Sequence, residues 1–273
     1  MERQTVSSRQ NPLVKFVCGL AEKKRRIENG LFRFDGVKLL TEAIDAELKI
    51  KYVICREPMS AAVSELVSRA VERGCVEEGG VVTVTESVFE KLSEERSPEG
   101  VITVAHFLSE LHRSADGGVP DRHRRILIAE SLRDPGNLGT VMRSAYALGI
   151  EELIITDDCA DVYNPKTLRA AMGAAFRLPL RIVKRELLAT YIAALRSEGR
   201  RVYATALSES SQDIGSLALG AGDCFVIGNE GHGLSAECIG ACDASVIIPM
   251  REGAESLNAA AAATICIWET VRA

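Results

Sequence analysis

Apolar positions along this chain alternate between helical and extended spacing. In the first third, residues 11–29 carry them at helical spacing with a basic opposite face, and residues 31–34 predict a short strand. Helical spacing returns over 37–47, 59–73 and 86–92, and extended apolar runs lie at 50–55, 81–84 and 101–105. This predicts a small α/β domain of about a hundred residues. The pattern fades over 106–125, where Gly117, Gly118 and Pro120 punctuate a polar run, and an interdomain linker is expected at 108–122. Longer apolar strands come next at 126–129, 153–156, 180–183, 202–206, 224–228 and 246–249, with helical segments between most of them. Near-continuous apolar strands belong to a parallel sheet covered on both faces. The expectation is an α/β protein of two domains, residues 1–107 and 123–273.

Composition narrows the class. With 47% hydrophobic and 26% charged residues the chain has the balance of a soluble globular protein. Its longest apolar tract, 257–268, is interrupted by Asn258 and Thr264 and is shorter than the roughly 18 residues a membrane span needs. The opening MERQTVSSRQ lacks the apolar core of a signal peptide, so a cytoplasmic protein is expected. The 8 cysteines are scattered through predicted strands and helices, which favours free buried thiols. Cys238 and Cys242 share a helical spacing but have no second ligand pair nearby, so no metal site is expected.

Net charge is −5, which argues against indiscriminate nucleic-acid binding. The charge is unevenly spread. Between residues 1 and 34, Arg3, Arg9, Lys15, Lys23, Lys24, Arg25, Arg26 and Arg33 outnumber Glu2, Glu22 and Glu28. Such an excess can meet phosphates; a solvated basic helix explains it equally.

Three stretches carry candidate chemistry, each at the carboxyl end of a predicted strand, where open α/β sheets bind ligands. The first is LRDPGNLGTVMRSAYALGI, 132–150. Pro135 and Gly136 signal a turn, Asn137 is a plausible N-cap, and Gly149 marks a helix end. Leu138, Val141, Met142, Ala145 and Leu148 form one stripe, and Arg143 falls nearly opposite it. On its own Arg143 is either a solvated arginine or a group reserved for a ligand. The second stretch is GNEGHGLS, 228–235, where Gly228, Gly231 and Gly233 permit close backbone approach and Glu230 stands between glycines. It is neither a dinucleotide fingerprint nor a Walker loop. The third is PMREGAESLN, 249–258, where Ser256 is a candidate cap for the last helix and Asn258, placed one step inside it, requires a specific partner. One Arg, one Glu, two Asn and one Ser, with no histidine base or activated cysteine, suit positioning and electrostatic stabilisation better than hydrolysis.

NLGTVMRSA, VIGNEGHGLS and IPMREGAESLN resemble, in order, the three motifs of the SpoU (TrmH-like) family of S-adenosylmethionine-dependent RNA 2'-O-ribose methyltransferases, within the SPOUT superfamily. Residues 161–180 are similar to the family's segment after the first motif, and FDGVKLLTEAI with SPEGVITV resembles its L30e-like substrate-binding domain. The resemblance implies a C-terminal domain with a deep trefoil knot, dimerisation through that domain, and bent S-adenosylmethionine in the knotted loops. It assigns catalysis to Asn137, Arg143, Glu230, Ser256 and Asn258. It assigns cofactor contacts to Gly228, Ile248 and Leu257, and to Asn229, Met250 and Ala206. Lys23, Lys24, Arg25, Arg26 and Arg169 are the expected RNA contacts. A guanidinium is nearly always protonated, so Arg143 suits a phosphate and a developing alkoxide, oriented by Glu230, better than the role of base. Two departures from the family pattern stand out: Ala259 and Ala260 after the third motif, and Glu252 where a small residue is common.

The expected activity is 2'-O-methylation of structured RNA, ribosomal by preference because of the L30e-like reader. The alternatives are a transfer-RNA 2'-O-methyltransferase and a catalytically silent RNA binder; retention of all five motif side chains argues against silence. A nicotinamide dehydrogenase lacks its glycine fingerprint here.

Overall fold

The computed structural model describes residues 5–95, 97–115, 118–208, 210–251, 253 and 256–272. In chain order the elements are β1 (Thr5–Val6), α1 (Pro12–Gly19), α2 (Lys23–Asn29), β2 (Leu31–Asp35), α3 (Val37–Asp45), β3 (Ile50–Arg56), α4 (Ala61–Glu72), β4 (Val81–Val84), α5 (Glu86–Leu92) and β5 (Val101–His106). Then come β6 (His112–Ser114), β7 (Ile126–Ala129), α6 (Pro135–Ala147), β8 (Glu152–Thr156), α7 (Pro165–Ala171), β9 (Leu180–Val183) and α8 (Leu188–Ser197). The chain finishes with β10 (Val202–Thr205), β11 (Gln212–Asp213), β12 (Cys224–Ile227), α9 (Ala236–Ala241), β13 (Ala244–Ile247) and α10 (Ala259–Arg272).

Two compact units result, one of residues 1–108 and 163–176, the other of 109–162 and 177–273. The first holds a mixed sheet in the order β1-β4-β3-β5-β2. Its core gathers Val14, Val17, Leu20, Ile54, Phe89 and Val104. The single helix expected over 11–29 is instead α1 and α2, broken between Gly19 and Lys23. Arg26 explains the break: its guanidinium is buried and donates to the Leu20 and Ala21 carbonyls, both at 2.7 Å, satisfying acceptors that the turn exposes.

Segment 163–176, expected in the second domain, groups with the first unit because its aromatics complete an aromatic cluster there. Tyr163 stacks on Phe107 with centroids 4.3 Å apart, and Phe176 lies 5.3 Å from Phe34. The Tyr163 hydroxyl accepts the Leu108 amide at 2.8 Å.

The second unit is built on a sheet in the order β11-β13-β10-β12-β7-β8-β9-β6, with every pair parallel. β7, β8 and β12 are buried along their whole length, so helices cover both faces, as their near-continuous apolar runs predict. β6 lies inside the stretch read as linker and pairs with β9. Strand order reverses direction around β7 and β12, whose carboxyl ends open side by side; such a switch point is where open α/β sheets place ligands. All eight cysteines are free, and seven of them are buried.

Candidate active site

The turn after β7 begins the site. Asp134, rather than Asn137, caps α6: its carboxylate accepts the Asn137 amide at 2.8 Å, and Pro135 takes the first helical position, where its missing N–H costs nothing. Leu138, Val141, Met142 and Ala145 are fully buried and anchor the helix. Because the cap lies three residues upstream, the Asn137 side chain is released from capping. Its Nδ2 donates to Glu230 Oε1 at 2.9 Å, and its Oδ1 accepts from Asn258 Nδ2 at 2.9 Å.

Glu230 sits in the loop after β12. Gly228 is required there by close approach: a Cβ would lie 2.5 Å from the Gly233 carbonyl carbon and 2.6 Å from the Leu234 nitrogen. Asn229 and Gly233 exchange backbone hydrogen bonds at 3.0 Å, closing a tight turn that points Glu230 outward. Ser235 ends the loop by capping α9.

The loop after β13 leads to α10. Here Asn258, not Ser256, is the cap: its Oδ1 accepts the Ala260 and Ala261 amides at 2.9 and 3.3 Å. One amide thus does two jobs, with the acceptor on the helix end and the donor on Asn137. Ser256 and Leu257 are exposed beside it, and Glu252 lies outside the described residues.

The loops after β10, β12 and β13 line an open cavity of about 710 Å³. Ala206, Gly228, Asn229, Glu230, Ile248, Met250, Ser256 and Leu257 all line it. So do Thr205, Leu207 and Arg251, which sequence reasoning missed although Arg251 stands inside the third motif. Its volume falls in the range of small-molecule sites, and its walls are largely aliphatic side chains and strand-end backbone with polar groups at the rim. That suits a flat heterocycle with a polar tail. No described thiol in the unit is poised as a nucleophile: burial pushes Cys224 and Cys266 up to about 12, and the hydrogen bond with Cys242 raises Cys238. Among the described residues no group of three His, Cys, Asp or Glu can hold a metal ion.

Arg143 stands apart. It is exposed on α6, does not line the cavity, and makes no hydrogen bond or ion pair among the described residues. Glu230 therefore does not orient it, contrary to expectation; the carboxylate engages Asn137 instead. Of the expected RNA contacts, Lys23, Lys24 and Arg25 are exposed on α2, the latter two within 3.9 and 3.2 Å of Glu28, and Arg169 is exposed on α7. Arg26 is withdrawn from that set by its burial at 2% exposure.

Residues 124–268 match the model of the SpoU rRNA Methylase family, and residues 11–103 that of the MRM3-like substrate binding domain. The chain is similar to the 23S rRNA (guanosine(2553)-2'-O)-methyltransferase RlmP of Bacillus subtilis, with 30% identity over 96% of this chain and 97% of that one. Among solved structures it resembles the AdoMet-bound rRNA methyltransferase from Sinorhizobium meliloti, at 29% identity and a TM-score of 0.84, covering 100% and 98% of the two chains. It also resembles the SpoU methyltransferase AviRb from Streptomyces viridochromogenes in complex with AdoMet, at 26% identity and a TM-score of 0.81, covering 96% and 98%.

Proposed function

The chain belongs to the SpoU rRNA Methylase family, and from that premise we propose that it methylates a ribose 2'-hydroxyl of ribosomal RNA with S-adenosylmethionine as donor. One observation carries this reading: the hydrogen-bonded chain Asn258–Asn137–Glu230 lies at the rim of a cavity that Gly228, Ile248, Met250 and Leu257 line. In that cavity Ala206, Gly228, Asn229, Ile248, Met250 and Leu257 hold the cofactor. When bound it supplies a methyl group already activated on a sulfonium, so the protein's task is alignment and the removal of one proton from the ribose.

The residues divide that task. Asn137, itself bonded to Asn258, holds Glu230 at the mouth, where its carboxylate and the hydroxyl of Ser256, which lines the cavity, meet the ribose. Arg143, permanently charged, holds the neighbouring phosphate and stabilises the developing alkoxide. Because it does not line the cavity of its own chain, we assign it to the site of a second copy in a homodimer formed through this unit. Support comes from Tyr146 and Trp268, which leave 46% and 54% of their surface exposed on α6 and α10. Those helices run side by side, with Thr264 donating to Ser144 at 2.9 Å, and Arg143 lies one turn from Tyr146.

Residues 1–107 are assigned to RNA reading as an L30e-like domain, 108–122 to the connection and 123–273 to transfer; the substrate-binding match over 11–103 supports the first. The deep trefoil knot is likewise assigned to the second unit, on the support that α10, which comes after β13, packs on α6 and β12 across the intervening β10. The cytoplasm is the assigned compartment, and no helix among the described residues is long and apolar enough to cross a membrane. Incubating the purified protein with labelled S-adenosylmethionine and separated ribosomal and transfer RNAs, then mapping 2'-O-methyl positions, tests the reading. Label on ribosomal RNA is expected; no transfer to any RNA with cofactor binding intact would leave a silent RNA binder.

A further inference from the structure

The loop that carries Glu230 is held from outside by the two residues after β7. Glu130 donates its amide to Ile227 at 2.8 Å, and its buried carboxylate accepts the Ser235 amide at 2.8 Å and hydroxyl at 2.6 Å. The Ser131 carbonyl accepts Asn229 Nδ2 at 2.7 Å. Asn229 then organises the turn from within, its Oδ1 accepting the Gly231 and His232 amides at 2.9 and 3.1 Å. Each end of the loop thus rests on one residue of the same short turn.

Ser131 reaches Asn229 by an unusual backbone. Its φ is 54°, in the left-handed region that a non-glycine residue enters at a cost. Three hydrogen bonds hold it there: its amide donates to Thr156 Oγ1 at 2.8 Å, its hydroxyl to Asp158 Oδ2 at 2.7 Å, and Thr156 Oγ1 to Asp158 Oδ1 at 2.7 Å. Strain over-determined by its surroundings, one carbonyl from the loop bearing a motif carboxylate, is a feature that packing alone does not require.

We propose that Ser131, locked by Thr156 and Asp158, is a positioning residue for methyl transfer: through Asn229 it fixes where Glu230 meets Asn137. The proposal rests on the methyltransferase reading above. Its weight falls on the rate of the step, because the loop's backbone bonds and the cavity walls remain when the Ser131 hydroxyl is removed.

The test is Ser131→Ala, made alone and with Glu230→Gln, in single-turnover methyl transfer at saturating RNA and cofactor, with cofactor affinity by calorimetry and thermal melting alongside. Ser131→Ala should lower the rate about tenfold and leave cofactor and RNA affinity within about twofold. In the Glu230→Gln background the same change should cost less than about twofold, because the group being positioned is gone. Asp158→Asn, which leaves the serine in place, should reproduce the rate loss and serves if Ser131→Ala fails to fold. Equal losses in both backgrounds, a change in affinity without one in rate, or an unchanged rate overturns the proposal. If the wild-type protein transfers no methyl group, the functional reading falls and this proposal with it; an active wild type with an unaffected Ser131→Ala sinks only this one.

Discussion

Replacing Asn258 separates its two jobs. Asn258→Ala removes the acceptor for the Ala260 and Ala261 amides, worth about 1 kcal/mol at an N-cap. It also removes the donor to Asn137, worth about 0.5–1 kcal/mol at an exposed position. The sum of about 1.5–2 kcal/mol should lower the melting midpoint by roughly 3–8 °C for a unit of this size. Asn258→Asp behaves differently. It keeps the acceptor and adds a negative charge at a helix N-terminus, favourable by about 0.3–1 kcal/mol, which offsets the about 0.5–1 kcal/mol of the lost Asn137 bond, so the midpoint should stay within about 2 °C of wild type. Yet its carboxylate faces Asn137 Oδ1, and two acceptors cannot bond. Turning the Asn137 amide over restores that contact only by presenting its oxygen to Glu230. Either way one hydrogen bond of the chain is lost, about 1 kcal/mol plus repulsion, which corresponds to a transfer slower by roughly five- to tenfold. Single-turnover methylation measured beside thermal melting decides the matter. An Asn258→Asp protein with full rate, or with a rate loss that merely tracks a lowered midpoint, refutes the assignment of Asn258 to the site.

Arg143→Lys keeps the charge but not the planar fork, and should lose at least about tenfold in methyl transfer with cofactor affinity unchanged by calorimetry; near wild-type activity would refute the role given to Arg143. Gly228→Ala forces a Cβ against the Gly233–Leu234 backbone, so it should cost about 1–3 kcal/mol in stability and weaken S-adenosylmethionine binding, and unchanged affinity would remove Gly228 from the cofactor site. Replacing Lys23, Lys24 and Arg25 together by Ala should reduce the slope of log affinity for RNA against log salt by about 2–3 without moving cofactor affinity, whereas Arg26→Ala should lower the melting midpoint instead. Burial pushes the Asp158 carboxyl up, but hydrogen bonds from Ser131, Thr156 and Arg133 outweigh it and hold it below the usual carboxylate range. Its ionised form therefore favours the folded state above about pH 4, and that contribution is lost as pH falls through the lowered value. Asp158→Asn should be less stable than wild type at neutral pH and converge with it on acidification, as urea titrations at several pH values would report.

How far the chain can be read from its sequence depends on what each residue reports. β7, β12 and the Leu153–Ile155 centre of β8 are legible because strands covered on both faces need near-continuous apolar runs, and those runs differ from any loop. β1, β6 and β11 are not, since two or three residues at a sheet edge carry no period. The candidate site is legible as three loops, because each stands at the carboxyl end of a predicted parallel strand with polar side chains beside glycines. Its internal wiring is not. Asn137 reads as a cap because it comes after Pro-Gly, but Pro135 prefers the first helical turn and leaves capping to Asp134. Ser256 reads as a cap for its hydroxyl, while the shorter path to α10 gives that role to Asn258. Arg26 resembles its neighbours Lys24 and Arg25, and only the turn at Leu20 and Ala21 draws it inward. Helical spacing tells which side of a helix a residue occupies; it does not tell where the helix begins.

Where a helix begins also decides how the polar residues at its end should be weighed. A cap and a functional group are usually treated as competing explanations for one side chain, and Asn258 satisfies both because an amide has two unlike ends. Its acceptor is fixed by α10, so its donor can point only toward Asn137, and the hydrogen-bond polarity then passes through Asn137 to Glu230 without a free rotation to settle. Asn229 is built the same way, its acceptor on two amides of its own turn and its donor on Ser131. The stability of a helix end and of a tight turn thereby sets the direction in which a carboxylate presents itself at the cavity. An aspartate in either position would cap as well but has no donor with which to pass that direction on.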